Sequence, residues 1–283
     1  MVSIYMCPVC HLSLDSIERQ FVCANGHTFD IAREGYVNLL LAHHKKTSEP
    51  GDSKEMIKSR RSFLEKGHYD TLSEELNKTI IGTFCDTAED DGIQILDVGC
   101  GEGFYLWKLS NDVESQGLLD AFGLWGLDIS RPAVRHASRR DKFSQFAVGS
   151  TYRLPILPGC IDAILCIFAP SNSDGFLQVL KPYGRLITLR PGPRHLAALK
   201  AMIYDSPMDH QVEAAIPTGF TCSDQIRISY GLHLRNSEDI DNLVVMTPYY
   251  WHMDKRTQDR VLSMSNLETE VDVILTIYQK AGT

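Results

Sequence analysis

Four residues near the N-terminus have the types and the spacing of a zinc site. Cys7 and Cys10 form one short knuckle, Cys23 and His27 form a second, and twelve residues separate the two pairs. Thiolate and imidazole ligands suit Zn²⁺, and two such pairs can surround one tetrahedral ion, which predicts a structural site without an open position. Buried structural cysteines beside a surface histidine are the alternative. A redox pair at Cys7 and Cys10 is less favoured, because no strand–helix–strand pattern surrounds it.

A glycine-rich turn carries the strongest chemical signal further along the chain. Asp97, Gly99, Gly101 and Gly103 occupy alternate positions directly after an apolar run. Glycines in such a turn let backbone amides approach a ligand closely. A dinucleotide fingerprint has its third glycine one position later, where this chain has Phe104. The turn is therefore not expected to hold a pyrophosphate.

Two acids near this turn indicate which ligand it holds. Asp97 ends the apolar run and would suit an ammonium group better than a phosphate. Asp128 follows 31 residues later at the end of the next apolar run, where it is placed to accept hydrogen bonds from two ribose hydroxyls. An acid for an amino group and an acid for a ribose together describe a site for S-adenosylmethionine.

The elements that must position these residues are strands alternating with helices. The predicted strands cover residues 93–98, 122–128, 143–148, 161–168 and 184–190. Such alternation predicts the α/β class and a doubly wound parallel sheet, whose ligands bind beyond the carboxyl ends of the strands. Before the first strand, Ser53 is placed to cap a helix that stops at Gly67, and apolar residues at four-residue steps predict a second helix over 71–84.

The turn and the knuckles together resemble a known family. DVGCGEG (97–103) and LDIS (127–130) are similar to class I methyltransferases, which use S-adenosylmethionine. The whole order of motifs resembles the bacterial 23S ribosomal RNA guanine-N1 methyltransferases, the RlmA family, to about residue 204. The segments that carry this resemblance, besides the knuckles and the turn, are FDIAREGYVNLL (29–40), PGDSKEM (50–56), GHY (67–69) and RPGPRHL (190–196).

The resemblance implies a fold, a division into domains and an activity. The fold is a class I, Rossmann-like methyltransferase sheet with a small N-terminal zinc-binding domain. Residues 1–50 would form a zinc-knuckle domain that recognises RNA, 51–92 a helical linker and 93–283 the methyltransferase domain. The implied reaction transfers a methyl group from S-adenosylmethionine to N1 of a guanine in a loop of 23S rRNA, with Zn²⁺ in a structural role.

The resemblance also implies which residues contact the cofactor. Tyr69 would cover it from the linker side, and the stretch from Gly149 would lie near the adenine. The full set of implied cofactor contacts is Tyr69, Asp97, Gly99, Gly101, Glu102, Gly103, Asp128, Ser150, Thr151 and His195.

Guanine N1 carries a proton, so methylation requires its removal and a donor for the charge that develops on the carbonyl oxygen. Three catalytic candidates lie at the end of the fourth predicted strand or just after the fifth. Phe168 could stack on a flipped base, Arg194 could meet the carbonyl oxygen or a phosphate, and His195 could touch the cofactor or the base. Alternatively, Phe168 belongs to the core and Arg194 begins a surface helix. None of the three is assigned as the general base.

The charge of the chain is unevenly distributed. The formal net charge of the 283 residues is −8, but residues 131–200 hold 11 Lys and Arg against 3 Asp and Glu. This segment favours an anionic partner, here 23S rRNA. No apolar run approaches the roughly 18–20 residues that span a bilayer, so we expect no membrane partner and a cytoplasmic location. Self-association into a homodimer is considered as well.

Two other functions fit parts of the pattern. A small-molecule methyltransferase on the same fold would have a closed apolar pocket in place of a broad basic cleft, and it would seldom need a metal clip. A noncatalytic protein that binds cofactor and zinc would bind S-adenosylmethionine without turnover, but the intact Asp97 and Asp128 argue against it.

Overall fold

The computed structural model describes residues 3–44, 50–84, 92–203 and 216–282. Within these ranges the strands are β1 (Asp15–Ile17), β2 (Gln20–Val22), β3 (Thr28–Asp30), β4 (Val37–Asn38), β5 (Ile93–Val98), β6 (Phe122–Asp128), β7 (Gln145–Val148), β8 (Ile161–Ile167), β9 (Leu180–Pro191), β10 (Phe220–Leu234) and β11 (Leu267–Lys280). The α-helices are α1 (Lys54–Glu65), α2 (Asp70–Phe84), α3 (Phe104–Ser115), α4 (Arg131–Arg140), α5 (Ser173–Val179), α6 (Ala197–Ile203), α7 (Ser237–Met246) and α8 (Lys255–Leu262).

An eight-stranded mixed sheet forms the centre of the molecule, with the order β10-β11-β9-β8-β5-β6-β7-β4. Neighbouring strands from β4 to β9 pair in parallel, whereas β11 pairs antiparallel with β9 and β10. The chain runs from β5 to β7 in one direction and then crosses to β8, so the topological switch lies beside β5. The five strands predicted from sequence are confirmed, and the C-terminal region adds β10 and β11 to the same sheet.

β5 is buried on both faces, because helices cover one side of the sheet and the N-terminal segment together with α5 covers the other. Residues 3–30, which contain a three-stranded antiparallel sheet of β1, β2 and β3, are here called the ribbon and pack against β6. The ring of Tyr5 meets Trp125 edge-on at 5.3 Å and Phe21 at 5.2 Å. Trp125 is only 1% exposed, so the ribbon closes this part of the core.

The segment between the ribbon and α1 contributes directly to the large sheet. Val37 and Asn38 pair in parallel with Ala147 and Val148 of β7. The N-terminal segment therefore shares both a hydrophobic core and a sheet edge with the rest of the chain. The domain boundaries drawn from sequence at residues 50 and 92 stay predictions.

The two helices before β5 follow the sequence pattern closely. The Ser53 Oγ accepts a hydrogen bond from the N–H of Met56 at 3.1 Å, which caps α1 as predicted. Gly67 lies just after α1 with a φ of +81°, a conformation that favours glycine. In α2 the predicted apolar positions are buried against the sheet side of the molecule. No helix in the described part of the chain combines the length and the hydropathy needed to cross a membrane.

Candidate active site and metal centre

The four residues predicted as zinc ligands converge at one end of the ribbon. The ligand atoms of Cys7, Cys10, Cys23 and His27 all lie within 4.8 Å of one another. Sγ of Cys10 and Sγ of Cys23 are 3.6 Å apart, and Nδ1 of His27 lies 3.4 Å from Sγ of Cys23. A tetrahedral zinc with Zn–S bonds of about 2.3 Å separates its ligands by roughly 3.5–3.8 Å. The donor set therefore fits a closed, structural zinc site.

Each knuckle is a tight turn held by backbone hydrogen bonds. The N–H of His11 donates to the carbonyl of Cys7 at 2.9 Å, and the N–H of Gly26 donates to the carbonyl of Cys23 at 2.8 Å. Both donors have positive φ, at 63° for His11 and 78° for Gly26. These turns bring each pair of ligands to the same side of the backbone.

The glycine turn connects β5 to α3 at the switch point of the sheet. Gly99 has a φ of +80°, and its N–H donates to the carbonyl of Leu127 at 2.7 Å. A Cβ at Gly99 would lie 2.6 Å from the Cβ of Ala169, so a side chain there would collide with the neighbouring loop. The turn is thus fixed against both β6 and the loop after β8, as a cofactor-binding turn in this fold requires.

Asp97 is the acid at the centre of this site. It is 1% exposed, and its Oδ1 has no hydrogen-bond partner among the described residues. Burial, together with the nearby charges of Asp128 and Glu102, raises the pKa of Asp97 to about 8. A buried carboxyl group in need of a partner fits the ammonium group of S-adenosylmethionine, which would favour its ionised form.

Asp128 ends β6, across the turn from Asp97. Its Oδ2 accepts the N–H of Gly101 at 3.0 Å, and its Oδ1 accepts the N–H of Ser130 at 2.7 Å. Burial raises the pKa of Asp128, and the two backbone donors oppose that effect. Each carboxylate oxygen retains acceptor capacity, so the group can also accept from ribose hydroxyls.

Three of the candidate site residues bring their rings together. The rings of Phe168 and His195 stack at 5.9 Å with an interplanar angle of 26°, and Tyr69 lies 6.5 Å from His195. Phe168 has a φ of +50° and is 41% exposed, whereas Tyr69 and His195 are buried. The alternative that placed Phe168 in the core is therefore wrong, and its ring is available to a ligand.

The loop after β7 lies beside the acid of β6. The N–H of Gly149 donates to the carbonyl of Asp128 at 2.9 Å. Ser150 Oγ accepts the N–H of Tyr152 at 3.2 Å, and the carbonyl of Thr151 accepts from Asn172 at 3.2 Å. The side chains expected near the adenine are thus on the same edge of the sheet as the acids.

Comparisons with known proteins agree with this geometry. A family model described as the N-terminal domain of RlmA, a zinc ribbon, matches residues 5–48. A second model, described as a methyltransferase domain, matches residues 89–243. A 23S rRNA (guanine(748)-N(1))-methyltransferase from Streptomyces fradiae is 34% identical over 253 residues, covering 88% of this chain and 86% of that protein.

The chain belongs to the RlmA family. A second relative, the YxjB protein of Bacillus subtilis, is provisionally named a 23S rRNA (guanine-N(1)-)-methyltransferase; it is 30% identical over 287 residues and covers 98% of both chains. Among solved structures, the YcgJ protein from Bacillus subtilis aligns with a TM-score of 0.43 at 15% identity, covering 72% of this chain and 98% of that chain. As a member of this family, the chain is a methyltransferase with S-adenosylmethionine as its cofactor and a zinc ribbon at its N-terminus.

Sequence reasoning missed one residue that shapes this RlmA-family site. Asp272 of β11 has a fully buried side chain that accepts from Arg227 in two places, at 2.7 and 3.0 Å. Its Oδ2 also accepts the N–H of Arg194 at 2.8 Å, and its own N–H donates to Nδ1 of His195 at 3.3 Å. Asp272 therefore anchors the turn that carries His195. A lone acid 77 residues after that histidine gives no pattern that sequence alone could detect.

The basic residues of α4 are mostly engaged within the chain. Arg135 and Arg139 both bind Glu34 of the N-terminal segment, at 2.8 and 2.9 Å. Arg140 binds Glu102 at 3.0 Å and Glu65 at 2.8 Å. The positive charge of residues 131–200 is thus partly neutralised by glutamates outside this segment. Fewer basic side chains are therefore left to contact RNA.

Arg194 lies at the edge of the site. Its side chain is 70% exposed, and its Nε pairs with Glu270 at 2.6 Å. Arg194 precedes Ala197, the first residue of α6, by three positions, so it lies just before the helix that the alternative interpretation expected. The structure thus brings Tyr69, Phe168 and His195 together, while Arg194 faces solvent beside them.

Proposed function

We propose that this chain transfers a methyl group from S-adenosylmethionine to N1 of a guanine in a loop of 23S rRNA. The proposal rests on the RlmA-family relatives, of which the Streptomyces fradiae protein is named for this reaction. The observation that carries it is Oδ1 of Asp97, a buried carboxylate oxygen with no hydrogen-bond partner in the described part of the chain, close to Asp128 at the glycine turn. The zinc ribbon, packed on the same sheet, is the second part of the pattern.

The cofactor would be held by the residues around the glycine turn. In our proposal Asp97 binds its ammonium group, Asp128 binds its ribose, and Gly99, Gly101 and Gly103 let the backbone approach it. The contacts that complete this set are Tyr69, Glu102, Ser150, Thr151 and His195. When bound, the cofactor supplies a sulfonium methyl group, and the protein's part is to align guanine N1 behind it.

In our proposal His195 donates a hydrogen bond to the reacting groups. Its Nδ1 accepts the N–H of Asp272, so the proton of the neutral ring lies on Nε2. A ring in this form can donate a hydrogen bond to a carbonyl oxygen that gains negative charge, but it does not accept the N1 proton. We assign Phe168 the role of stacking on the flipped base and leave Arg194 as a phosphate contact. None of these residues is assigned as the general base.

The substrate must present an exposed Watson–Crick edge, because N1 of guanine lies on it. A loop of 23S rRNA meets this requirement, and a regular helix does not. In the proposal, residues 1–50 recognise the RNA, 51–92 link the two parts, and 93–283 carry out the reaction. We also propose a cytoplasmic location, where the ribosomal substrate is made, and self-association into a homodimer, which sedimentation of the zinc-loaded protein tests.

The experiment is methylation of 23S rRNA isolated from a strain that lacks the gene. The zinc-loaded protein and labelled S-adenosylmethionine should add one methyl group to one guanine. Nuclease mapping by mass spectrometry locates the residue, and a reverse-transcription stop distinguishes N1 from atoms that do not pair. RNA from the parent strain should accept no label. Absence of transfer to the deletion-strain RNA, or methylation at another atom, would refute the proposal.

A further inference from the structure

The PGDS segment before α1 packs against the end of β6, beside the acid assigned to the ribose. A Cβ at Gly51 would lie 2.8 Å from the Cβ of Ser130 and 3.1 Å from Cγ2 of Ile129, and Gly51 has a φ of +90°. Only glycine fits this conformation and this close approach without strain. The first turn of the linker is therefore held on the two residues that follow Asp128.

This turn fixes the position of one arginine. Asp52, in the turn, accepts a hydrogen bond from Nη1 of Arg60, two helical turns along α1. The same Nη1 would lie 3.6 Å from a Cβ at Gly101. The N–H of Gly101 is itself bound to Oδ2 of Asp128 at 3.0 Å. Arg60 thus stands over the glycine turn, directly beside the ribose acid.

The electrostatics of Arg60 agree with this placement. Burial lowers its pKa, but the charges of Asp52, Glu102 and Asp128 outweigh that effect, and the net pKa is raised. The side chain is 28% exposed, and Asp52 is the single hydrogen-bond partner found for it among the described residues. A guanidinium has five N–H donors, so most of its donors remain for another group.

The two hydroxyl groups of a ribose need both hydrogen-bond donors and hydrogen-bond acceptors as partners. Each hydroxyl has one proton to donate and two lone pairs to fill, whereas the carboxylate of Asp128 only accepts. We propose that Arg60 is a cofactor-binding residue that donates to a ribose hydroxyl oxygen opposite Asp128, and that Asp52 is the positioning residue that holds it there. The inference rests on the proposed function, since it assigns residues to the same cofactor site. It makes the linker one wall of the ribose pocket.

The test compares ligands that differ only in the ribose. Calorimetry would measure the affinity of the zinc-loaded protein for S-adenosylhomocysteine and for its 2′-deoxy and 3′-deoxy forms. Arg60→Met should weaken S-adenosylhomocysteine by about 10- to 100-fold, the effect of losing a hydrogen bond from a charged donor. One of the two deoxy forms should bind the wild type and Arg60→Met equally, because it lacks the oxygen that Arg60 contacts.

Matched variants separate this role from a general loss of charge or stability. Arg61→Met removes the same charge from the next residue of α1, whose side chain pairs with Glu65 instead, and it should leave the affinity unchanged. Asp52→Asn should weaken S-adenosylhomocysteine by a smaller factor than Arg60→Met. If Arg60→Met does not fold, Arg60→Lys replaces it and should show an intermediate loss with the same dependence on the hydroxyl.

Two results would overturn the inference. One is unchanged affinity of Arg60→Met for S-adenosylhomocysteine; the other is an equal loss for the parent ligand and both deoxy forms. Failure of the proposed function has a different signature, since the wild-type protein itself would then bind no S-adenosylhomocysteine or transfer no methyl group to 23S rRNA.

Discussion

The zinc centre and the cofactor pocket are built from sequence in opposite ways. The four metal ligands fall within 21 consecutive residues and need only two tight turns to meet. In our proposals the pocket takes Arg60 from α1, Asp97 from β5, Asp128 from β6 and His195 from the turn after β9. The first is a local structure and the second a product of the whole sheet. Damage to the ribbon should therefore act through folding, and damage to the pocket through binding.

The largest effect is expected from removing a zinc ligand. Cys23→Ser should abolish stoichiometric zinc binding and lower the free energy of unfolding by several kcal/mol, because structural zinc contributes on the order of 10 kcal/mol to small metal domains. Zinc analysis and denaturant unfolding measure both quantities. Cys222→Ser, at an exposed cysteine of β10, is the control. Retention of zinc and full stability by Cys23→Ser would show that the ribbon folds without the metal.

A smaller effect, confined to binding, is expected at Asp97. Asp97→Asn should weaken S-adenosylhomocysteine by about 30- to 1000-fold, the usual result of removing one partner of a buried charge pair. Calorimetry measures the affinity, and the zinc content should not change. An affinity equal to that of the wild type would mean that the ammonium group is bound elsewhere.

The pH dependence at Asp97 sharpens this prediction. The folded pKa of Asp97, about 8, lies above the usual value of an aspartate, so the contribution of this group to stability is full below about pH 4 and is lost as the pH rises towards 8. Binding of an ammonium group favours the ionised carboxylate, so wild-type affinity should rise between pH 6 and 8 on that account. In Asp97→Asn, neither the free energy of unfolding nor the affinity should show this pH dependence. Calorimetry and unfolding at several pH values test this, and unchanged profiles would contradict the assignment.

Asp272 tests whether the pocket depends on residues remote in sequence. Asp272→Asn should lower the free energy of unfolding by about 1–3 kcal/mol, since Arg227 and the N–H of Arg194 lose a charged acceptor. Methyl transfer should fall further than cofactor affinity, because the turn that carries His195 is displaced. Glu268→Gln, on the same strand but exposed beside His233 and away from the site, is the control. Equal rates of methyl transfer for Asp272→Asn and the wild type would show that Asp272 does not support the site.

The smallest effect is expected where the ribbon segment meets α4. Arg135 and, to a smaller extent, Arg139 lower the pKa of Glu34. The stability that these ion pairs contribute is therefore present above the pKa of Glu34 in the unfolded chain and is lost as the pH falls. The arginines are about half exposed, and Glu34→Gln should cause only a slight loss of stability that disappears in 1 M salt. Unfolding at low and high salt measures it. A large, salt-independent loss would mean that the ribbon is held mainly by charge.

The features that the sequence could predict are those that depend on residues close together in the chain, as in the zinc centre. The zinc ligands and the acids at the ends of β5 and β6 depend on short-range spacing and on apolar runs, and the structure places them as those patterns predicted. The partners of Arg140 and the role of Asp272 depend on side chains that meet only after the sheet has assembled. Phe168 is an apolar residue next to a buried strand, so the sequence suggests that it is buried. Its 41% exposure could be known only from the structure. Packing across distant segments leaves no periodic signal.

The edge-on contact between Tyr5 and Trp125 has a further consequence. Without the metal, the apolar face of β6 that carries Trp125 would be exposed to water. The fluorescence emission of Trp125 should then shift to longer wavelength. Zinc supply would then govern how much enzyme remains dispersed rather than aggregated. A cell starved of the ion would accumulate unmodified ribosomes even though every group needed for methyl transfer is intact.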